Sequence, residues 1–278
     1  MAFNINPAPY FLSKYIMKNI TIERLKSIKA DGNKFAVITA YDYSFAKLID
    51  EAGIEVTLVG DSLGNVIQGQ ETTLPVTVDE MAYHTANVRR GINSSFIIAD
   101  MPFMSYATVP QALENAAILM QAGAQMVKLE GGEWLIETIQ ALTERGIPVC
   151  GHLGLTPQSV HKLSGFKIQG KDAEASEKLL YEARQLEEAG ADLLVVECVP
   201  STLGESLAKN LDIPVIGIGA GSGTDAQVLV LQDMMGMSTK PPKFAKNFLQ
   251  QESDIQSALK AYRQAVISGQ FPEDEHCF

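Results

Sequence analysis

The sequence predicts an α/β protein, a (β/α)8 TIM barrel of parallel strands, and three observations predict it. A helical stripe, a glycine and a short apolar run ending in a polar residue recur along the chain. The apolar runs do not alternate with polar residues, as expected of parallel strands covered on both faces. Eight such runs, with no linker-like stretch dividing them, fit one closed barrel better than an open doubly wound sheet.

FAVITA (35–40) is the first candidate strand. Phe45, Leu48, Ile49 and Ala52 follow helical spacing, with Gly53 as C-cap, before VTLVGD (56–61). Thr77 opens the next helix with Glu80 three residues on, a capping-box spacing, and FIIAD (96–100) follows. Leu113, Ala116, Ala117 and Met120 form a stripe closed by Gly123 ahead of QMVKLE (125–130). Leu135, Ile139 and Leu142 lead through Gly146 to PVCGH (148–152), and Leu179, Ala183 and Leu186 through Gly190 to DLLVVE (192–197). IPVIGIG (213–219) and QVLVLQD (227–233) complete the eight strands. An amphipathic helix around Ile255, Ala258, Leu259 and Tyr262 closes the chain.

The 278 residues are 46% hydrophobic and 20% charged, enough apolar material for one large core. A net charge of −11 argues against a nucleic-acid or anionic-membrane binder. No run approaches the length of a membrane span, and the first twenty residues lack a basic segment ahead of an apolar one. Cys150, Cys198 and Cys277 form no C-x-x-C pair, which suits a reducing, cytoplasmic setting.

Active sites of such barrels lie at the C-terminal ends of the strands. That rule gathers Asp61, Asp100, Lys128, Glu130, His152 and Glu197 from strands two to six. Asp61 and Asp100 offer hard oxygens from two strands, a set suited to Mg2+ with the remaining positions left to water and substrate. Zn2+ would call for a tighter group of His or Cys. Lys128 and Glu130 share one face of their strand, either as a structural ion pair or as a cation beside a carboxylate that orients water. His152 is a donor to a substrate oxygen or a satisfied structural residue. Glu197 sits among apolar neighbours, where desolvation favours a carboxylate acting as general base. His84 and His161, on a helix and in a loop, carry no catalytic expectation, and Cys198 reads as packing. GIGAGSG (217–223) departs from G-x-G-x-x-G at Ser222; it reads as close backbone packing or a substrate-approach loop before a phosphate cradle.

These segments, in order, resemble one family. TAYDYSFAKL (39–48), LVGDSLGNVIQG (58–69), TLPVT (73–77), AYHTANVRRG (82–91), MVKLEGGEW (126–134), PVCGHLGLTPQSV (148–160), VECVP (196–200), PVIGIGAG (214–221) and PKFAKNF (242–248) are similar to the ketopantoate (3-methyl-2-oxobutanoate) hydroxymethyltransferases. The resemblance covers roughly residues 17–276. It leaves 1–16 as an N-terminal extension and 17–278 as a single barrel domain. It implies a barrel of the phosphoenolpyruvate/pyruvate type, and transfer of a hydroxymethyl group from 5,10-methylenetetrahydrofolate to 3-methyl-2-oxobutanoate. The product would be 2-dehydropantoate, on the way to pantothenate and coenzyme A. It further implies a Mg2+-stabilised enolate whose carbon attacks the folate-borne methylene. The ion would be held by Asp61 and Asp100, with Glu130 contacting it through water. Ser62 and Lys128 would contact the keto acid, His152 would play a nearby polar role, and Glu197 would be the base. Tyr41, Asp42 and the 161–171 loop are candidates for folate contact or cover. Members are homo-oligomers, commonly decamers, with small-molecule partners.

Three other readings compete. GDSL in LVGDSLGN (58–65) matches the block of a serine hydrolase with Ser62 as nucleophile. That reading wants the block on the first strand and a late D-x-x-H, whereas Glu273 precedes the late His276. A Mg2+ enolate lyase of the isocitrate lyase or phosphonomutase kind wants a reactive cysteine loop, and none is recognisable. A metabolite-binding scaffold on the same barrel would bind without turnover.

Overall fold

The computed structural model describes residues 19–278, so the expected 1–16 extension, with its boundary at Met17, lies outside the described residues. The chain folds into α1 (Ile22–Ala30), β1 (Phe35–Thr39), α2 (Tyr43–Ala52), β2 (Val56–Val59), α3 (Leu63–Val66) and α4 (Val78–Gly91). Next come β3 (Phe96–Asp100), α5 (Val109–Ala122), β4 (Met126–Glu130), α6 (Ile136–Thr143), β5 (Val149–Gly154) and α7 (Ala173–Glu188). The remaining elements are β6 (Leu193–Glu197), α8 (Ser201–Asn210), β7 (Val215–Ile218), β8 (Ala226–Leu229), α9 (Leu231–Met234) and α10 (Ile255–Ile267). The eight strands pair in sequence order, all parallel, and β8 closes on β1. No helix among the described residues is long and apolar enough to cross a membrane.

Period-2 geometry splits each strand between two cores. Phe35 and Val37 point into the barrel, while Ala36 and Ile38 pack outward under the helices. Both faces are buried, which is why the strands carry no polar alternation. The predicted helix signals are present: Gly53 ends α2 at φ +80, and Thr77 with Glu80 forms a full capping box on α4.

The structure moves several strand ends, β5 running on to Gly154 two residues past His152. β2 stops at Val59, two residues short of Asp61, and the 227–233 run yields its last residues to α9. It also adds helices that apolar spacing did not announce. α8 carries Gly204, whose lack of a side chain admits the Ala220 carbonyl. α1 plugs the N-terminal end of the barrel, where buried Leu25 and Ile28 join Phe35, Val56, Phe96 and Met126. Lys26 pairs with Asp192 at 2.8 Å, and the Lys29 ammonium donates to the Ile213 carbonyl and to Asp225, groups that lead into the lower strand ends. α10 covers the seam between first and last strands, where the Tyr262 hydroxyl donates to the carbonyls of Val37 (2.8 Å) and Gln227 (2.9 Å).

Candidate active site

Four strands carry the same inward series, apolar low in the barrel and ionisable at the top. They read Phe96–Ile98–Asp100, Met126–Lys128–Glu130, Cys150–His152 and Leu193–Val195–Glu197. Register then sets neighbours side by side, with Asp100 opposite Lys128 and Glu130 opposite His152. Asp61 arrives from the turn after β2, and its backbone N–H donates to Asp100 Oδ2 at 3.0 Å. A Cβ on Gly60 would sit 2.8 Å from Ser62 Oγ, so the glycine leaves room for the hydroxyl that stands beside Asp61. All six sequence-predicted ionisable residues therefore meet at one end of the barrel.

Lys128 Nζ lies 3.0 Å from Asp100 Oδ1 and 3.8 Å from Glu130 Oε1. The contact with Asp100 is an ion pair without hydrogen-bond angles, so Asp100 Oδ1 is left with no hydrogen bond. Burial, then the charges of Asp100 and Glu130, push the Asp61 pKa well above the usual carboxylate range. Burial also raises that of Asp100, against the pull of Lys128. Burial opposes ionisation of Glu130 as well, but His152 and Lys128 outweigh it and hold that carboxyl below its ordinary value. Lys128 is driven upward because three carboxylates overcome its desolvation.

His152 Nδ1 faces both Lys128 Nζ at 3.1 Å and Glu130 Oε1 at 3.3 Å, which ask for opposite protonation states. Glu197 Oε2, 3.3 Å from Nε2, decides between them: carboxylates on both sides favour the protonated ring. Burial and Lys128 lower the pKa of His152, yet Glu130 and Glu197 lift it to about 9. Glu197 is 12% exposed, faces the opening, and precedes Cys198, which holds a left-handed φ of +48. A non-glycine residue in that conformation is strained, and here it turns the chain directly after the carboxylate.

Above this floor opens a cavity of about 620 Å3, lined by the polar cluster, Ser62, Phe166, Phe244 and Phe278 among others. The Ser62 hydroxyl is held by the Tyr41 hydroxyl at 2.8 Å, not by a histidine, so the hydrolase reading lacks its base. His276 packs against Phe271 instead. Tyr41 is 2% exposed, and Asp42 caps α2 by accepting from the backbone of Ser44 and Phe45. Of the three suggested folate contacts, only the 161–171 loop reaches the cavity lining, through Phe166. The 217–223 glycines serve packing: a Cβ on Gly221 would strike Ser201 and one on Gly223 would strike Glu205. Burial pushes the Cys150 thiol up to about 12 and raises that of Cys198, leaving neither as a reactive nucleophile.

Two residues of the cluster escaped sequence reasoning. Gln158 donates from Nε2 to Asp61 Oδ2 (2.9 Å) and from its backbone to Glu130 Oε2 (3.0 Å). The Tyr106 hydroxyl donates to the Gln158 side-chain oxygen. Neither residue lies on a strand or carries a charge, so the strand-end rule passes over them.

The donor set suits a hard divalent cation. Asp61, Asp100 and Glu130 bring carboxylate oxygens from three neighbouring strand ends together beside the Lys128 ammonium.

A family model described as ketopantoate hydroxymethyltransferase matches residues 19–274. The chain is 59% identical to the 3-methyl-2-oxobutanoate hydroxymethyltransferase of Shewanella sp. (strain MR-7), over 94% of this chain and 100% of that protein. It is 57% identical to the enzyme of the same name from Alteromonas mediterranea, with the same coverage. Among solved structures, a putative phosphonomutase from Burkholderia cenocepacia J2315 shares the fold at TM-score 0.60 and 16% identity, covering 78% of this chain and 97% of that one. A 2,3-dimethylmalate lyase of the PEP mutase/isocitrate lyase superfamily shares it at TM-score 0.56 and 16% identity, covering 75% and 77%.

Proposed function

The chain belongs to the ketopantoate hydroxymethyltransferase family, and from that premise we propose that it moves a one-carbon unit from 5,10-methylenetetrahydrofolate to 3-methyl-2-oxobutanoate, giving 2-dehydropantoate for pantothenate and coenzyme A synthesis. The observation that carries the reading is the acidic floor: Asp61, Asp100 and Glu130 buried together around Lys128, with Glu197 across His152.

Mg2+ held by Asp61 and Asp100, with Glu130 in outer contact, would supply Lewis acidity to the keto oxygen and carboxylate of the substrate. Glu197 takes the C3 proton, and the C–H electron pair passes into the enolate. Lys128 faces the oxygen on which that charge develops, a fixed and buried cation. Ser62, its hydroxyl set by Tyr41, hydrogen-bonds the substrate carboxylate. His152 holds Glu197 in place and keeps Glu130 ionised. The enolate carbon bonds to the one-carbon unit as both of its carbon–nitrogen bonds to the folate break. One water supplies the hydroxyl, and its second proton and the one taken by Glu197 go to the two nitrogens of the departing tetrahydrofolate. The reading includes a cytoplasmic homo-oligomer; exposed Phe103, Met104 and Trp134 support contact between copies.

The test is exchange of the C3 proton of 3-methyl-2-oxobutanoate in D2O, followed by NMR with and without Mg2+. Metal-dependent exchange without folate is expected, and 2-dehydropantoate should form once the folate is added. Absence of exchange with any α-keto acid sinks the reading.

A further inference from the structure

We propose that Gln158 is a positioning residue: it presents Asp61 to a divalent cation through one oxygen, steadies Glu130, and so sets how tightly the acidic floor holds the ion. The inference rests on the Mg2+ reading above and assigns a role to a side chain outside the acidic set.

Gln158 stands in the short turn Pro157–Ser159 after β5 and is 6% exposed. Its amide is fully engaged. Nε2 donates to Asp61 Oδ2 at 2.9 Å and to the Met101 carbonyl at 3.0 Å, while Oε1 accepts from the Tyr106 hydroxyl. The orientation is unambiguous, because a carboxylate and a carbonyl accept only. With Oδ2 engaged by the amide, Oδ1 is the Asp61 oxygen left for a cation. The backbone N–H of the same residue donates to Glu130 Oε2 at 3.0 Å. Gln158 is thus the one residue, among those described, that hydrogen-bonds both Asp61 and Glu130.

A second support holds the first. The Tyr106 hydroxyl also reaches the Glu130 main chain at 3.3 Å, and its ring stacks on Trp134 with centroids 5.8 Å apart. Groups that orient a ligand oxygen typically change metal affinity by about 10–100-fold when removed.

The test is calorimetric titration of the purified full chain with Mg2+ alone, for wild type, Gln158→Met and Tyr106→Phe, together with kcat at saturating Mg2+. Methionine keeps the length of the side chain and removes its donors. The Mg2+ Kd should rise about 10–100-fold in Gln158→Met and by less in Tyr106→Phe. A packing role alone would lower the melting temperature and leave Kd where it was. A folded Gln158→Met with the wild-type Kd overturns the proposal, as does a fall in kcat with Kd unchanged. If that variant does not fold, an unchanged Kd in Tyr106→Phe overturns it. Wild-type protein that binds no Mg2+ defeats the metal reading as well, whereas binding indifferent to both substitutions defeats only the role of Gln158.

Discussion

Met126 and Lys128 lie two residues apart on one strand, face the same barrel interior and are both buried. Met126 belongs to an apolar layer closed from below by α1; Lys128 stands among carboxylates. The lower layer releases free energy simply by leaving water, about 25 cal/mol for each Å2 of apolar surface buried. The upper layer does the reverse, since like charges are held together out of water at a cost that their counter-charges offset only in part. One half of the interior therefore stabilises the barrel, and the other spends that stability on chemistry. Changes in the two halves should separate activity from stability.

The largest separation is expected at Glu197. Glu197→Gln keeps the shape and removes the base, so C3 exchange should fall by about 10²- to 10⁴-fold. Substrate binding and melting temperature should hardly move. Exchange at the wild-type rate would show that another group takes the proton.

The opposite outcome is expected at Leu25 in the plug. Leu25→Ala removes a fully buried side chain and should cost about 2–5 kcal/mol in denaturant unfolding. Below its lowered melting point the variant should retain the wild-type kcat. A proportional loss of kcat at temperatures where it stays folded would mean that the halves are coupled.

Mg2+ addition acts on the upper half without mutation. An ion that binds only the folded acidic floor stabilises it by roughly 2.7 kcal/mol at one hundred times its Kd. Scanning calorimetry should show the melting temperature rising with Mg2+ and falling back with EDTA. Asp100→Ala should abolish the shift together with activity.

Both halves were unequally legible before folding. The apolar series and the ionisable strand ends follow from period-2 geometry, so Asp100, Lys128, Glu130, His152 and Glu197 were readable once strands were recognised. Asp61 was found although β2 ends two residues earlier, because the turn at Gly60 carries it on to Asp100. Gln158 was not readable: an uncharged amide in a loop, its partners Asp61 and Met101 become neighbours only when the barrel closes. α1 was missed for a related reason, since only Leu25 and Ile28 of its nine residues are buried and the stripe is too short to register.

The smallest effect belongs to neither half and serves as their control. On the outer ring, Thr77 Oγ1 accepts from Glu80 N at 3.3 Å, while the Glu80 carboxylate accepts from the backbone and hydroxyl of Thr77, each at 2.8 Å. Thr77→Ala removes the hydroxyl from both contacts and should cost about 1 kcal/mol, with activity and Mg2+ affinity unchanged. The same box has an acid signature. The Thr77 backbone N–H, then its hydroxyl, lower the Glu80 pKa below its ordinary 4.5. The folded value lies under the unfolded one, so the contribution is present above about 4.5 and lost as pH falls through the folded pKa. Stability measured from neutral pH downward should therefore decline less steeply below that value in Thr77→Ala than in wild type. An identical acid slope in the two proteins would mean that the Thr77 hydroxyl does not favour ionised Glu80, and that the helix start rests on its backbone bonds alone.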